Sequence, residues 1–226
     1  MTRLDDHWED PDVVRRFGER EPDHRLRAMV EELDDPGSLR ALDVGCAGGR
    51  NTVFLARHGA DVHALDASEG MVDETRRRLA PVVGRQEAER RVRLATMDDL
   101  SAWETGTFDL VVGLGIYQNA RDLEEWDRAV GETARVLRPG GRCLVAHFTP
   151  EVDLTGEGVT AVDDRPHVFR GMPGGRTAVL FHADELDRAF GSHGLVPEVE
   201  SETVVVEKER GRRATVNALY VRTPIP

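Results

Sequence analysis

The sequence predicts a single doubly wound α/β domain: a mostly parallel sheet with helices on both faces. Three observations predict it. Short apolar runs alternate with amphipathic stretches from residue 39 to residue 148, the pattern of strands joined by crossover helices. A small-residue loop, Gly45-Cys46-Ala47-Gly48-Gly49, follows the first apolar run directly. Near the C-terminus, two long β-patterned stretches flank the polar turn 209–213, so one of the two must run antiparallel.

Taken in order, residues 8–33 read as one or two amphipathic helices, with Val13, Val14, Phe17, Leu26, Met29, Val30 and Leu33 on the apolar face. Asp34-Asp35-Pro36-Gly37 ends them. Strands are expected near 39–45, 61–66, 91–96, 108–114 and 142–148, and helices near 50–58, 69–79 and 122–137. Ser68 is placed to cap the second of these helices. Arg138-Pro139-Gly140-Gly141 stops the third and turns the chain into the fifth strand. Residues 150–181, rich in Gly, Pro and Asp, break the rhythm and read as an irregular segment with a turn at 171–175. A helix at 184–190 and strands at 195–208 and 214–222 complete the chain. The expected organisation is one domain, 1–226: an N-terminal helical lid (1–38), a core (39–149), an irregular insertion on the substrate side (150–181) and a C-terminal helix and hairpin (182–226).

Composition narrows the function. A length of 226 residues, 39% hydrophobic and 32% charged, suits one soluble globular domain. A net charge of −12 opposes the counterion-displacing basic surface that nucleic-acid binding requires. The two cysteines, Cys46 and Cys143, have no metal-type spacing and read as small apolar residues in a reducing compartment. The polar start, Met1-Thr2-Arg3-Leu4-Asp5-Asp6, does not resemble a signal peptide, and no apolar stretch approaches the roughly 20 residues of a membrane span. A cytoplasmic location is expected, with no nucleic-acid or membrane partner and no metal; the oligomeric state is left open.

The chemistry sits at the strand ends, where open parallel sheets bind ligands. Glycines after strand 1 let backbone approach a ligand closely, and Asp66, 23 residues beyond Asp43, ends strand 2 where a carboxylate can accept from two ribose hydroxyls. A nucleoside-bearing cofactor follows. The dinucleotide fingerprint Gly-x-Gly-x-x-Gly fails at two positions, Ala47 and Arg50. Asp43, two residues before Gly45, would repel a pyrophosphate and suits an ammonium group.

The stretch Asp43-x-Gly45-x-Ala47-x-Gly49 resembles the first motif of the class I S-adenosylmethionine-dependent methyltransferases, acidic-x-Gly-x-Gly-x-Gly, and Leu137-Arg138-Pro139-Gly140-Gly141 is similar to a second segment of that family. The resemblance covers 39–149, and 182–222 more loosely. It implies a Rossmann-like, seven-stranded sheet of order 3-2-1-4-5-7-6 with strand 7 antiparallel. It implies S-adenosylmethionine as cofactor, S-adenosylhomocysteine as product, and methyl transfer to a small-molecule acceptor, a metabolite or natural product, by in-line displacement. Carried over by position, Asp43, Gly45, Ala47 and Gly49 face the methionine part, Asp66 the ribose, and Met71 and Met97 the adenine ring. Asp98, with Asp99 as its alternative, accepts from the adenine amino group, and Leu114 borders the methionine end. Ala47 departs from the pattern; it is accommodated if its φ is negative and strained if positive. Related small-molecule methyltransferases close the site with an N-terminal aromatic, a part open to Phe17, whose alternative is a place in the core. Candidate general bases are His147 at the end of strand 5 and Tyr117 after strand 4, with His167 and His182 in or beside the irregular segment. The alternatives are a catalytically silent cofactor-binding partner protein, a nucleic-acid methyltransferase and an NAD(P)-dependent oxidoreductase. The motif of amino-methylating DNA enzymes, Asp/Asn-Pro-Pro-aromatic, is missing after strand 4.

Overall fold

In the computed structural model, which describes residues 6–224, the chain divides into two compact units, residues up to Met97 with Phe108–Val112, and Asp98–Thr107 with the chain from Gly113 onward. The first unit opens with three short helices, α1 (Asp6–Glu9), α2 (Pro11–Gly18) and α3 (His24–Glu31). Asp10 and Asp23 cap α2 and α3, each side chain accepting from backbone N–H groups of the first turn. Strand β1 (Arg40–Val44), α4 (Arg50–Arg57), β2 (Asp61–Asp66), α5 (Glu69–Val83), α6 (Arg85–Arg91), β3 (Val92–Leu94) and β4 (Phe108–Leu114) follow. The strands of this unit pair in the order β3-β2-β1-β4, all parallel. In β1 and β2 four consecutive residues are buried in each. That continuous burial, rather than alternation, marks parallel strands covered on both faces. Ser68 caps α5 as expected, its hydroxyl accepting from Met71 N at 3.1 Å. Helix α6, rich in Arg and Glu with one buried residue, Ala88, has no counterpart among the expected elements; its apolar stripe is too thin to register as a period.

In the second unit, α7 (Leu123–Val136) runs into β5 (Leu137–Phe148), so that the Arg-Pro-Gly-Gly segment belongs to the strand itself. The segment expected to be irregular instead folds as a three-stranded antiparallel sheet of β6 (Thr160–Ala161), β7 (Val168–Met172) and β8 (Arg176–Val179). Val152, Met172, Ala178 and Leu180 form its own small core. The turn anticipated at 171–175 closes the β7–β8 hairpin. After α8 (Ala183–Gly191), the expected strand at 195–208 is two strands, β9 (Leu195–Pro197) and β10 (Glu202–Glu207), both antiparallel to β11 (Arg212–Arg222). Pro197 pairs with Tyr220 and Glu202 with Asn217, so four residues of one strand face two of β11 and the strand bulges there. Strand β11 is also antiparallel to β5. The order 5-7-6 with an antiparallel strand 7 thus holds within the second unit as β5-β11-β10, and the order 3-2-1-4 holds within the first.

Candidate functional site

The loop between β1 and α4 is held by its own amides. Gly45 N and Cys46 N both donate to the Leu65 carbonyl at 2.9 Å, Ala47 N donates to Asp66 Oδ2 at 2.9 Å, and Gly49 N donates to Cys46 O at 2.9 Å. These bonds curl the loop onto the end of β2. Gly45, Ala47 and Gly49 all take positive φ, 70°, 49° and 77°. For glycine that conformation is free; for Ala47 it costs about 1 kcal/mol. The alanine is therefore the strained case. Its position is secured on both sides, because Thr75 Oγ1 donates to Ala47 O at 2.6 Å. At Gly48 the backbone of α2 approaches so closely that an added Cβ would lie 2.4 Å from Gly18 N, and Arg78 Nη1 donates to Gly48 O at 2.7 Å.

Two carboxylates flank this loop. Asp43 is 2% exposed and its Oδ2 accepts from Thr52 Oγ1 at 2.6 Å. Burial raises its pKa to about 6, with Asp66 adding to the rise and Thr52 and Arg50 opposing it. Asp66 accepts at each oxygen from one backbone amide, Ala47 N on Oδ2 and Ser68 N on Oδ1 at 3.0 Å. Burial raises its pKa as well, against the pull of those amides. A carboxylate oxygen has two lone pairs, so both retain acceptor capacity. The Cys46 thiol, buried between these charges, is pushed well above its ordinary value and stays protonated.

Over the loop and the start of α5 lies an apolar cluster of Val13, Val14 and Met71, with Trp8, Phe17 and Ala47 packed against it. Trp8 and Phe17 meet edge to face at 5.5 Å. Phe17, the residue expected as lid aromatic, packs in this cluster beside Trp8. Glu9 caps α5 from outside, Oε1 and Oε2 accepting from Glu69 N and Gly70 N at 3.2 Å each, while Ser68 Oγ donates to Trp8 O at 3.0 Å. Sequence reading missed Trp8, Glu9, Thr52 and Thr75. For the two threonines the signal was faint: each lies on a helix face directed at the loop.

Of the remaining expected residues, Met97 is 7% exposed at the end of the first unit. Asp98 begins the second unit, where its Oδ2 accepts from Arg128 Nη2 at 3.2 Å. Asp99 is an exposed turn residue that accepts from Ser101 N. Leu114 is half-buried at the end of β4.

His147 and Tyr117 require correction as candidate bases. His147 is fully buried; its Nε2 accepts from Trp126 Nε1 at 3.2 Å and its Nδ1 donates to Phe148 O at 2.8 Å. Both nitrogens are engaged, and burial lowers its pKa to about 4, so it is a neutral core histidine. Tyr117 is fully buried with its hydroxyl 2.8 Å from Thr133 Oγ1, and burial pushes its pKa well above the ordinary value. Its ring fills the space beside Gly113, where an added Cβ would lie 2.4 Å from the ring. Replacing His147 by Gln should therefore cost about 1 kcal/mol of stability through the Trp126 hydrogen bond and leave turnover within about twofold, because no proton transfer is lost; chemical denaturation and initial rates on the same preparation check both. His167, half-buried with φ of 60°, stacks on Phe181 at 4.3 Å. His182 lies 3.3 Å from Glu151 and is half-exposed. Among the described residues no group of His, Cys, Asp and Glu could hold a metal ion.

Residues 41–141 match the family model of a methyltransferase domain. The chain is 30% identical over 164 residues to the ubiquinone biosynthesis O-methyltransferase of Mesorhizobium japonicum, covering 70% of this chain and 59% of that protein. To the enzyme of the same name from Xanthomonas oryzae pv. oryzae it is 33% identical over 150 residues, 65% and 58% of the two chains. The chain thus spans less than two thirds of the length of these relatives. Its fold is that of Burkholderia thailandensis 1,6-didemethyltoxoflavin-N1-methyltransferase, solved with S-adenosylhomocysteine bound, at TM-score 0.64 and 20% identity over 97% of this chain and 82% of that one. The glycine loop, the acid ending β2, the parallel order and these similarities agree: residues 41–141 carry a methyltransferase domain of the class I S-adenosylmethionine-dependent type.

Proposed function

We propose that the chain binds S-adenosylmethionine on its first unit and catalyses methyl transfer to a small-molecule acceptor, releasing S-adenosylhomocysteine. The observation that carries this reading is the state of the loop. The amides of Gly45, Cys46 and Ala47 are committed to Leu65 O and Asp66, so they form no free row of donors for a pyrophosphate. Two buried carboxylates, Asp43 and Asp66, favour instead a ligand that is cationic at one end and bears hydroxyls at the other. The residues present fit that group.

Bound there, S-adenosylmethionine supplies a methyl group already activated on a sulfonium. The residues of the chain bind and align it. Asp66 holds the ribose hydroxyls through its remaining lone pairs. Asp43 acts on the ammonium through its charge, which the apolar surroundings leave poorly screened. Met71 offers an apolar surface to the adenine, and the cluster around Trp8 and Phe17 excludes water. Gly45, Ala47 and Gly49 shape the backbone that passes beside the methionine part. Met97, at the end of the first unit, is assigned to the same cofactor by its match to the family pattern. With His147 and Tyr117 engaged in the core, an amine or thiol acceptor loses its proton to water.

We place the protein in the cytoplasm with no nucleic-acid or membrane partner. The net charge of −12 supports this, as do two free, buried cysteines; no described helix is long and apolar enough to cross a membrane.

A thermal-shift comparison tests the reading. S-adenosylmethionine or S-adenosylhomocysteine at about 100 times its dissociation constant adds roughly 2.7 kcal/mol and should raise the midpoint by about 5–11 °C, whereas NADH and NADPH should not move it. A shift with the nicotinamides alone overturns the reading. Catalytically silent binding is the second reading, favoured by the strained Ala47 and the loss of both candidate bases; it gives the same shift with no methyl transfer across a broad acceptor panel.

A further inference from the structure

The first unit carries a recess of about 480 Å³ between residues 19–22, α3, α4 and Arg78 of α5, the size of a small-molecule site. Five arginines line it against three glutamates, an excess of positive charge in a chain whose net charge is −12. The glutamates neutralise only part of it. Glu31 is 3.7 Å from Arg27, and Glu21 offers Arg50 its backbone carbonyl, at 3.0 Å, rather than its carboxylate. Arg57, exposed in the last turn of α4, makes no hydrogen bond or ion pair among the described residues. Arg78 is half-buried and its hydrogen bond is to Gly48 O at 2.7 Å. Burial lowers the Arg78 pKa, and Arg77 and Arg57 nearby lower it further, against Glu74 and Glu19. Arg50, Arg57 and Arg78 make no close ion pair among the described residues, although Asp43 acts on Arg50 and Glu74 and Glu19 act on Arg78 at longer range, and they lie beside an apolar floor of Pro22, Val53 and Phe54.

We propose that this recess is a binding site for the phosphoryl group of a small phosphorylated metabolite, with Arg50, Arg57 and Arg78 as its ligands. A guanidinium presents paired N–H donors that match the oxygens of a phosphoryl group two at a time. The double charge of a phosphate monoester satisfies more than one arginine at once, which a single carboxylate does not. The partly apolar floor strengthens each contact relative to open water. Because Arg78 also holds the Gly48 carbonyl, the site adjoins the loop assigned to the cofactor while using none of the residues assigned to hold it.

The test is calorimetric titration of the full chain with inorganic pyrophosphate at low ionic strength, beside titration with malonate and with S-adenosylhomocysteine. Pyrophosphate is expected to bind saturably with one site per chain and more tightly than malonate. Arg57→Glu, on an exposed helix end, should weaken pyrophosphate by about tenfold or more and leave S-adenosylhomocysteine affinity unchanged, which also shows that the variant is folded. Arg50→Gln should weaken pyrophosphate in the same direction. Lack of saturable binding up to about 10 mM, well above typical small-metabolite dissociation constants, overturns the site. So does pyrophosphate affinity unchanged in Arg57→Glu, and malonate binding as tightly as pyrophosphate overturns the phosphoryl assignment. The S-adenosylhomocysteine titration reads the cofactor proposal separately.

Discussion

Asp66→Ala should lower the affinity for S-adenosylhomocysteine by about 1–3 kcal/mol, roughly 5- to 150-fold. The carboxylate does two things that alanine cannot. It offers the remaining lone pairs of both oxygens to ribose hydroxyls, and it ties the loop to the end of β2 through Ala47 N at 2.9 Å and to the start of α5 through Ser68 N at 3.0 Å. Losing the second function frees Ala47, already held at φ of 49°, to relax away from the ligand-binding conformation. Loss of stability should be smaller than loss of affinity. A buried carboxylate whose pKa is raised is itself a cost to the fold, and its removal offsets part of the two lost hydrogen bonds. Asp66→Asn, which keeps one carbonyl acceptor, should fall between wild type and alanine. Asp73→Ala removes an exposed carboxylate from the same helix and should leave affinity unchanged. Equal affinities for wild type and Asp66→Ala by calorimetry would remove Asp66 from the site.

The first unit was the more legible half, for a physical reason. Buried parallel strands announce themselves as uninterrupted apolar runs, and β2 and β4 fall at 61–66 and 108–114 as expected. The loop was legible because glycine spacing and the two acids are local in sequence. Its details were not: whether Ala47 has a positive φ is decided by Thr75 and Asp66, 28 and 19 residues away. Trp8 and Glu9 act on α5 from 60 residues upstream, a contact no periodicity encodes. The β6-β7-β8 sheet escaped because its strands are two to five residues long, too short for alternation to stand out among Gly, Pro and Asp. His147 shows the opposite failure. Its place at a strand end suggested exposure to substrate, but the side chain faces Trp126 and Phe181 in the core. Position along a strand fixes which end a residue occupies and does not fix which neighbours close over it.

Cofactor affinity should fall as the pH is lowered through about 6, and Asp43 should be the cause. Its carboxyl is buried, its pKa stands at about 6 rather than the ordinary 3.8, and a ligand ammonium favours the ionised form. Above pH 6 the carboxylate is charged and attracts the ammonium. Below it the ligand-free protein takes up a proton that the ligand must expel, so affinity should drop by up to about tenfold per pH unit until the pKa of the bound state is reached. Between pH 7.5 and 4.5 the loss should be about 30-fold, and Asp43→Asn should be weak throughout with a much flatter profile. Stability of the ligand-free protein should move the other way. A carboxyl whose folded pKa is raised binds more protons folded than unfolded, so its contribution is favourable at low pH and is lost as the pH rises from about 4 to 6. The two opposite slopes separate this effect from general acid unfolding, in which stability and affinity fall together. Asp66, shifted in the same direction by burial, adds to the affinity slope, and what persists in Asp43→Asn measures its share. S-adenosylhomocysteine titrations across that pH range decide the matter: an affinity that does not change between pH 7.5 and 4.5 would mean that Asp43 does not act on the ammonium.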